Sequence, residues 1–150
     1  MSILLALAIV IGDLLPALPL KTLAGEQTTL SVKNGRPLVI DLFASWCGPC
    51  RKSIPVVERL RQRFGAEIDF VSIAEEDDAQ AVSRFVDQMK IQSRVLLDGD
   101  RSAYRRLGAH TLPTTFVVDG FGVVCKINHG FGSGYEARMT KWLQSLLEKR

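Results

Sequence analysis

Apolar and polar positions change their spacing several times along this chain of 150 residues. Residues 38–44 form a short apolar run, interrupted only by Asp41, that is typical of a buried central strand. After Pro49, apolar residues recur every three or four positions as far as Phe64, which predicts an amphipathic helix that Gly65 ends in the C′ position. The chain between these two patterns is therefore predicted to be a strand-to-helix junction.

The same alternation of strand and helix continues through the rest of the chain. Strands joined by helices require a parallel sheet core, and a hairpin adds an antiparallel edge. We therefore predict an α/β fold with a mixed central sheet, parallel in its core with a terminal antiparallel hairpin, and helices on both faces. The elements predicted after the first helix are a strand at 68–73, a helix capped by Asp77 or Asp78, a strand at 95–97, a helix at 101–107 ended by Gly108, a hairpin of 114–118 and 123–127, and a final helix over 139–147.

The first residues of the chain are interpreted separately. The apolar N-terminal segment 1–11 contains an unbroken apolar run of nine residues, whereas a helix needs about 20 to span a bilayer. As a signal peptide it lacks a positively charged start and a cleavage site of small residues. The segment is either packed on the domain or the end of an export anchor, and we assign 12–150 to one domain. Pro16 and Pro19 predict an extended backbone over 13–21.

Composition excludes several classes of protein and directs attention to the cysteines. The chain is 47% hydrophobic and carries 19 basic against 16 acidic residues, which is incompatible with intrinsic disorder. A net charge of +3, with no basic stretch interleaved with aromatics, gives no indication of nucleic-acid binding. Three cysteines are too few for a disulfide scaffold, and two of them form the motif Cys47-Gly48-Pro49-Cys50.

The position of this motif at the predicted junction gives it a chemical meaning. Free N–H groups and the dipole of the helix N-terminus favour negative charge, which stabilises a thiolate on Cys47. Cys50 lies one turn further on and can attack a mixed disulfide formed by the first cysteine. Pro49 can lack its N–H at little cost near a helix start. Gly48 permits close approach of a partner chain, and Trp46 can cover the apolar side of the pair.

Two alternatives to redox chemistry compete for the same cysteines. Cys125 and His129 could complete a zinc site, because positions i and i+4 share one face of a strand. However, a Cys-x-x-Cys motif that opens a helix is poor geometry for zinc and the gap to Cys125 is long, so we predict no metal site. The second alternative is an inert structural disulfide, which an exposed junction argues against.

Two segments resemble the signatures of a known family. Residues 43–52, followed by Ile54-Pro55, resemble the active-site segment of the thioredoxin superfamily, and are nearest to its TlpA/ResA/DsbE-like branch. Residues 112–119 resemble the second signature of that family, and residues 18–25 resemble the segment that opens such domains. The similarity covers about residues 12–147. It implies a thioredoxin-like fold and a thiol–disulfide exchange reaction.

The resemblance also implies roles for individual residues. Cys47 corresponds to the attacking cysteine, Cys50 to the resolving one, and Pro113 to a cis-proline that exposes the backbone of Leu112 to a substrate strand. Asp41 corresponds to a buried acid that handles the proton of Cys50. A carboxylate in an apolar strand is costly unless paired or neutral, so a raised pKa is expected, and the alternative is an Asp41 that reaches solvent.

Several further residues carry two interpretations each. Glu75 matches the place where ResA-like proteins carry an acid near the cysteines, although residues 75–78 could equally be a solvated helix start. His110 either borders the substrate groove or is a surface loop residue. Cys125 is expected to pack as a small hydrophobe. Solvated helix faces are expected for the arginines at positions 59, 61, 63, 101, 105 and 106.

These expectations combine into one functional hypothesis. The chain is predicted to be a monomeric thiol–disulfide oxidoreductase that needs no cofactor beyond its own redox-active disulfide, Cys47–Cys50. Its predicted partners are protein thiols and disulfides and an upstream dithiol donor, without nucleic acid. The branch resemblance implies reduction of exported proteins, as in cytochrome c or metal-site assembly, in a periplasmic or exported location, with membrane contact only through an anchor at 1–11. The alternatives are a general cytosolic thioredoxin and a non-catalytic module that binds metal or a partner. Leu112 departs from the threonine, valine or isoleucine more usual before the cis-proline.

Overall fold

The computed structural model describes residues 8–149, and it confirms the alternation of strands and helices. A hairpin near the N-terminus was not predicted, because its second strand, Gln-Thr-Thr-Leu, buries a single side chain and has no apolar alternation. The elements are β1 (Leu18–Thr22), β2 (Gln27–Leu30), β3 (Leu38–Phe43), α1 (Gly48–Phe64), β4 (Asp69–Ala74), α2 (Ala79–Met89), β5 (Arg94–Leu97), α3 (Ser102–Leu107), β6 (Thr114–Val118), β7 (Val124–His129) and α4 (Tyr135–Glu148).

Within the described residues, the strands form one mixed sheet in the order β2-β1-β5-β4-β3-β6-β7. The core is parallel, because β3 pairs with β4 and β4 pairs with β5 in the same direction. The pairs β3–β6 and β6–β7 are antiparallel, which confirms the terminal hairpin. In this register Asp41 on the central strand lies opposite Ser72 of β4 and Thr115 of β6.

Helices cover both faces of the sheet, as predicted. On one face Ile40 and Leu42 belong to a core cluster that includes α3. On the other face Val39 packs with α1 and α4, and Phe43 packs with the start of α1 and with α2. Because side chains alternate along a strand, Asp41 is on the same face as Val39 and Phe43. The buried carboxylate therefore lies in the layer between the sheet and α1.

The N-terminal part of the domain is extended, as its prolines predict, and it adds to the edge of the sheet. The N–H of Gly12 donates to the carbonyl oxygen of Val124 at 2.8 Å, and the N–H of Leu15 donates to that of Gly122 at 2.8 Å. Ile9 packs against the core. Residues 1–7 of the predicted apolar segment lie outside the described residues. Over 8–149, none of the helices has the length and apolar character that a bilayer crossing requires.

Gly65 ends α1 as predicted, but for a different reason. Its backbone is right-handed, with φ −66°, and not in the left-handed conformation expected of a C′ glycine. Its N–H donates to the carbonyl oxygen of Arg61 at 2.7 Å, and a Cβ atom at this position would lie 2.5 Å from that oxygen. Glycine is therefore required here by close packing against the helix.

Candidate active site

The two motif cysteines occupy the predicted strand-to-helix junction and form a disulfide. Cys47 is the N-cap of α1, and its Sγ accepts the N–H of Cys50 at 3.2 Å. Pro49 lies in the first turn, where its missing N–H leaves no bond unmade. The junction is less exposed than predicted, because Cys47 is only 5% exposed and Cys50 is fully buried. Any partner must therefore reach Cys47 from one side.

That side is a cavity of about 540 Å³, which we call the active-site groove. It contains most of the residues that the sequence singled out. The bond between Leu112 and Pro113 is cis, as the resemblance implied, and Leu112 lines the groove. Trp46 is 68% exposed at the same place. The lining residues are Trp46, Cys47, Gly48, Pro49, Glu75, Arg101, Ala109, His110, Thr111 and Leu112.

Asp41 is buried, so the alternative that it reaches solvent is wrong. The hydroxyl of Thr115 donates to its Oδ1 at 3.3 Å, and its Oδ2 has no hydrogen-bond partner. Burial raises the pKa of the Asp41 carboxyl to about 7, the hydrogen bond from Thr115 opposes that rise in pKa, and the nearby charge of Glu58 adds to it. This carboxyl is therefore poised between its neutral and charged forms near neutral pH.

A buried polar cluster around Asp41 was missed by the sequence analysis. The hydroxyl groups of Thr115 and Tyr135 are 2.8 Å apart, and burial raises the pKa of the Tyr135 phenol. Glu58 on α1 accepts the N–H of Ser93 at 3.2 Å and pairs with Arg61 at 2.9 Å. No periodic pattern marks Thr115 or Tyr135 in the sequence, and only the pairing of β6 with β3 and the packing of α4 bring them beside the carboxylate.

Glu75 lies at the active-site groove, near the cysteines, as the resemblance implied. The alternative of a solvated helix start is wrong for this residue, because its side chain is only 9% exposed and forms an ion pair with Arg101. Arg101 was expected on a solvated helix face and instead lines the groove, with its own side chain 63% exposed. The solvated interpretation does hold at Asp78, which caps α2 by accepting the N–H of Ala81 at 3.0 Å.

Glu76 is a further residue that the sequence analysis did not single out. Its carboxylate accepts both the backbone N–H and the hydroxyl of Ser45, each at 2.6 Å. The preceding residue donates its N–H to the carbonyl oxygen of Phe43 at 2.9 Å. The chain that follows β4 therefore holds the turn that carries Trp46 and Cys47.

The third cysteine lies away from this site. Cys125 is free and half-buried on β7, and burial raises the pKa of its thiol. It lines a different cavity of about 1230 Å³, the far groove, together with Phe121, Lys126 and Trp142. Over residues 8–149, no cluster of three or more histidine, cysteine, aspartate or glutamate side chains is arranged to hold a metal ion. Of the two positions considered for His110, the structure has the one at the border of the active-site groove.

Known proteins share both the sequence and the architecture of this chain. The chain matches the Redoxin family over residues 11–141. It is 30% identical to the thioredoxin-like protein YneN of Bacillus subtilis, over 79% of this chain and 71% of that protein. It is 28% identical to the thiol-disulfide oxidoreductase ResA of Geobacillus thermodenitrificans, over 82% and 71% of the two chains.

A solved structure from Chlorobium tepidum, assigned as thiol:disulfide interchange protein DsbE, superposes with a TM-score of 0.86. It is 26% identical, and the match covers 93% of this chain and 99% of that one. The superposition confirms the thioredoxin-like fold, and the named relatives confirm an oxidoreductase. The chain therefore belongs to the Redoxin family and is a thiol-disulfide oxidoreductase of the ResA and DsbE type within the thioredoxin superfamily.

Proposed function

We propose that this protein reduces disulfides in exported protein partners through the Cys47–Cys50 pair. The observation that carries the proposal is that Cys47 of the pair and Leu112, the residue before Pro113, line the same groove. The comparisons support the oxidoreductase class, and the Gly-Pro dipeptide between the cysteines, shared with thioredoxin, favours the reducing direction. The reaction needs no cofactor other than the disulfide itself.

The proposed reaction has two exchange steps. In the reduced protein the thiolate of Cys47 attacks one sulfur of the partner disulfide, whose S–S bond breaks, and the leaving sulfur takes up a proton. Cys50 then loses its proton and attacks the Sγ of Cys47, which releases the second partner thiol. The partner gains two electrons and two protons, and the protein is left as the Cys47–Cys50 disulfide. An upstream dithiol reverses these steps on the protein.

Asp41 is proposed to accept the proton of Cys50. Cys50 is fully buried, so its proton needs an acceptor inside the protein. Asp41 lies in the layer between β3 and α1, the helix whose first turn carries Cys50. A carboxyl with a pKa of about 7 and one oxygen without a partner can take up and release a proton near neutral pH.

The groove beside the cysteines is proposed as the partner-binding surface. A Cβ atom added at Gly48 would meet nothing within 4 Å, so the space above the first helical turn is open. The backbone of Leu112 is proposed to pair with an extended segment of the partner, and the exposed Trp46 offers apolar contact area. We further propose that the protein is monomeric and exported.

A trapping experiment tests the reaction. Cys50→Ser leaves Cys47 to form a mixed disulfide that cannot be resolved, so a covalent complex with partners should accumulate and disappear on addition of reductant. Cys47→Ser is the matched control and should trap nothing and reduce no partner. Trapping in both variants or in neither would contradict the proposed roles. Recovery of the wild-type protein in the cytosol instead of the membrane or exported fraction would favour a general thioredoxin.

A further inference from the structure

The active-site groove contains one charged pair of side chains, Glu75 and Arg101. The other described residues that line the groove are apolar or uncharged, apart from His110 and Cys47. The two members of the pair differ sharply in exposure, since 9% of the Glu75 side chain and 63% of the Arg101 side chain are accessible. A partner that enters the groove therefore meets the guanidinium, while the carboxylate lies behind it.

The backbone holds Arg101 at this place in an uncommon conformation. Its φ of 62° lies in the left-handed region, which residues with a side chain rarely adopt. Its N–H donates to the carbonyl oxygen of Asp98 at 3.0 Å, and the carboxylate of Asp98 accepts the N–H groups of Ala103 and Tyr104. The loop before α3 is thus fixed by buried hydrogen bonds, with an arginine where glycine or asparagine would be less strained.

The guanidinium of Arg101 has more N–H donors than its contact with Glu75 can use. An arginine carries five N–H donors in a planar fork that matches a carboxylate, and within the described residues the Arg101 side chain contacts a single carboxylate. We propose that Arg101 is a specificity-determining residue that binds an aspartate or glutamate next to the disulfide of the partner protein. The inference rests on the proposed function and names its preferred substrate class, which is protein segments with an acidic residue flanking the cysteine.

Two synthetic peptides test this preference. Each carries the same single disulfide, flanked by aspartate in one peptide and by asparagine in the other. The wild-type protein should reduce the aspartate peptide with a kcat/KM about fivefold higher than the asparagine peptide, and 0.5 M salt should shrink that ratio. In Arg101→Ala the ratio should fall to about one. Arg106→Ala removes the same charge from an exposed position of α3 outside the groove, and should keep the wild-type ratio.

The ratio separates recognition from loss of structure, because both peptides report on the same folded fraction of each variant. Arg101→Lys keeps the charge without the fork and should retain a ratio of about twofold, which tests the proposal even where the alanine variant does not fold. A wild-type ratio of one, or a fivefold ratio that persists in Arg101→Ala, would overturn the recognition role. If the wild-type protein reduced neither bis(2-hydroxyethyl) disulfide nor either peptide, the proposed function itself would be overturned.

Discussion

Each end of the sheet carries a groove lined by a cysteine, but only one end has the disulfide of the proposed redox reaction. The far groove is the larger, about 1230 against 540 Å³. The Sγ of its cysteine, Cys125, lies 3.4 Å from the carbonyl oxygen of Val123, and Asp119 also lies beside this thiol. At the active-site groove, by contrast, Cys47 forms a disulfide at the start of α1, and the contact between Glu76 and Ser45 holds the turn that carries it. The far groove is both larger and lined by more charged side chains, so the cysteine pair at a helix start is a better guide to the reactive site than cavity volume or the number of titratable groups.

Replacing an aspartate by asparagine at each end of the sheet, at Asp41 and at Asp119, is expected to give the largest difference in stability between the two ends. The pKa of Asp41 is raised from 3.8 to about 7, so the folded protein binds more protons than the unfolded chain between these values. Stability attributable to this group is therefore lost as pH rises from about 4 to about 7. Asp41→Asn removes the buried charge and should stabilise the oxidised protein by up to about 4 kcal/mol above pH 7, and very little at pH 4.

Urea unfolding at pH 4, 6 and 8 measures this difference. Asp119→Asn, at the far end, is the control, because asparagine keeps an oxygen that can accept the N–H groups of Phe121 and Val123. A gain in stability for Asp41→Asn that does not grow with pH would contradict the assignment of a neutral buried carboxyl. Asp41→Asn should also slow the release of partner thiols above pH 7, measured by single-turnover kinetics.

The contact between Glu76 and Ser45 predicts a smaller effect. Glu76→Ala removes both 2.6 Å hydrogen bonds that hold the turn before Trp46 and Cys47. Loss of two charge-assisted bonds at a half-buried site should destabilise the protein by about 2 kcal/mol. It should also lower kcat/KM for a disulfide peptide about tenfold, because the turn that presents Cys47 is no longer fixed.

Glu136→Ala is the matched control for this variant. Glu136 forms an exposed ion pair with Arg59 at 2.8 Å, outside the active-site groove, and exposed pairs of this kind add little stability. The control should keep the wild-type kcat/KM. Equal losses of activity in the two variants would show that the contact between Glu76 and Ser45 does not position the active-site turn. Glu76→Gln, which retains an acceptor for the Ser45 N–H, should recover part of the activity.

Two exposed aromatic residues, one at each end, predict the smallest effect. Trp46 is 68% exposed at the active-site groove and Phe121 is 91% exposed at the far groove. Neither buries enough surface to matter greatly for folding, so alanine at either position should leave the melting temperature nearly unchanged. Trp46→Ala should raise KM for a protein partner about fivefold while Phe121→Ala leaves it unchanged, because only Trp46 is at the proposed partner surface. Equal KM values for the two variants would remove Trp46 from the partner contact.

The sequence predicted those features of the site that depend on local order. The change of period at residues 45–49 located the helix start, and the apolar run around Asp41 favoured a buried carboxyl with a raised pKa over one that reaches solvent. The contacts across the groove could not be predicted in this way, since Ser45 and Glu76 are 31 residues apart and meet only through the register of β3 and β4. Arg101 was misplaced because a helical pattern shows which residues are exposed but not what an exposed side chain faces.

The reduction potential of the Cys47–Cys50 pair, measured by equilibration in thiol redox buffers and alkylation of the free thiols, tests the proposed reductant most directly. We expect a reversible two-electron couple near the thioredoxin value of about −270 mV, with the same potential in Cys125→Ala. A value near the oxidising limit of about −120 mV would make the protein a disulfide donor and contradict the proposed reductant. Absence of a two-electron couple, or its loss in Cys125→Ala, would contradict the assignment of the chemistry to this end of the sheet.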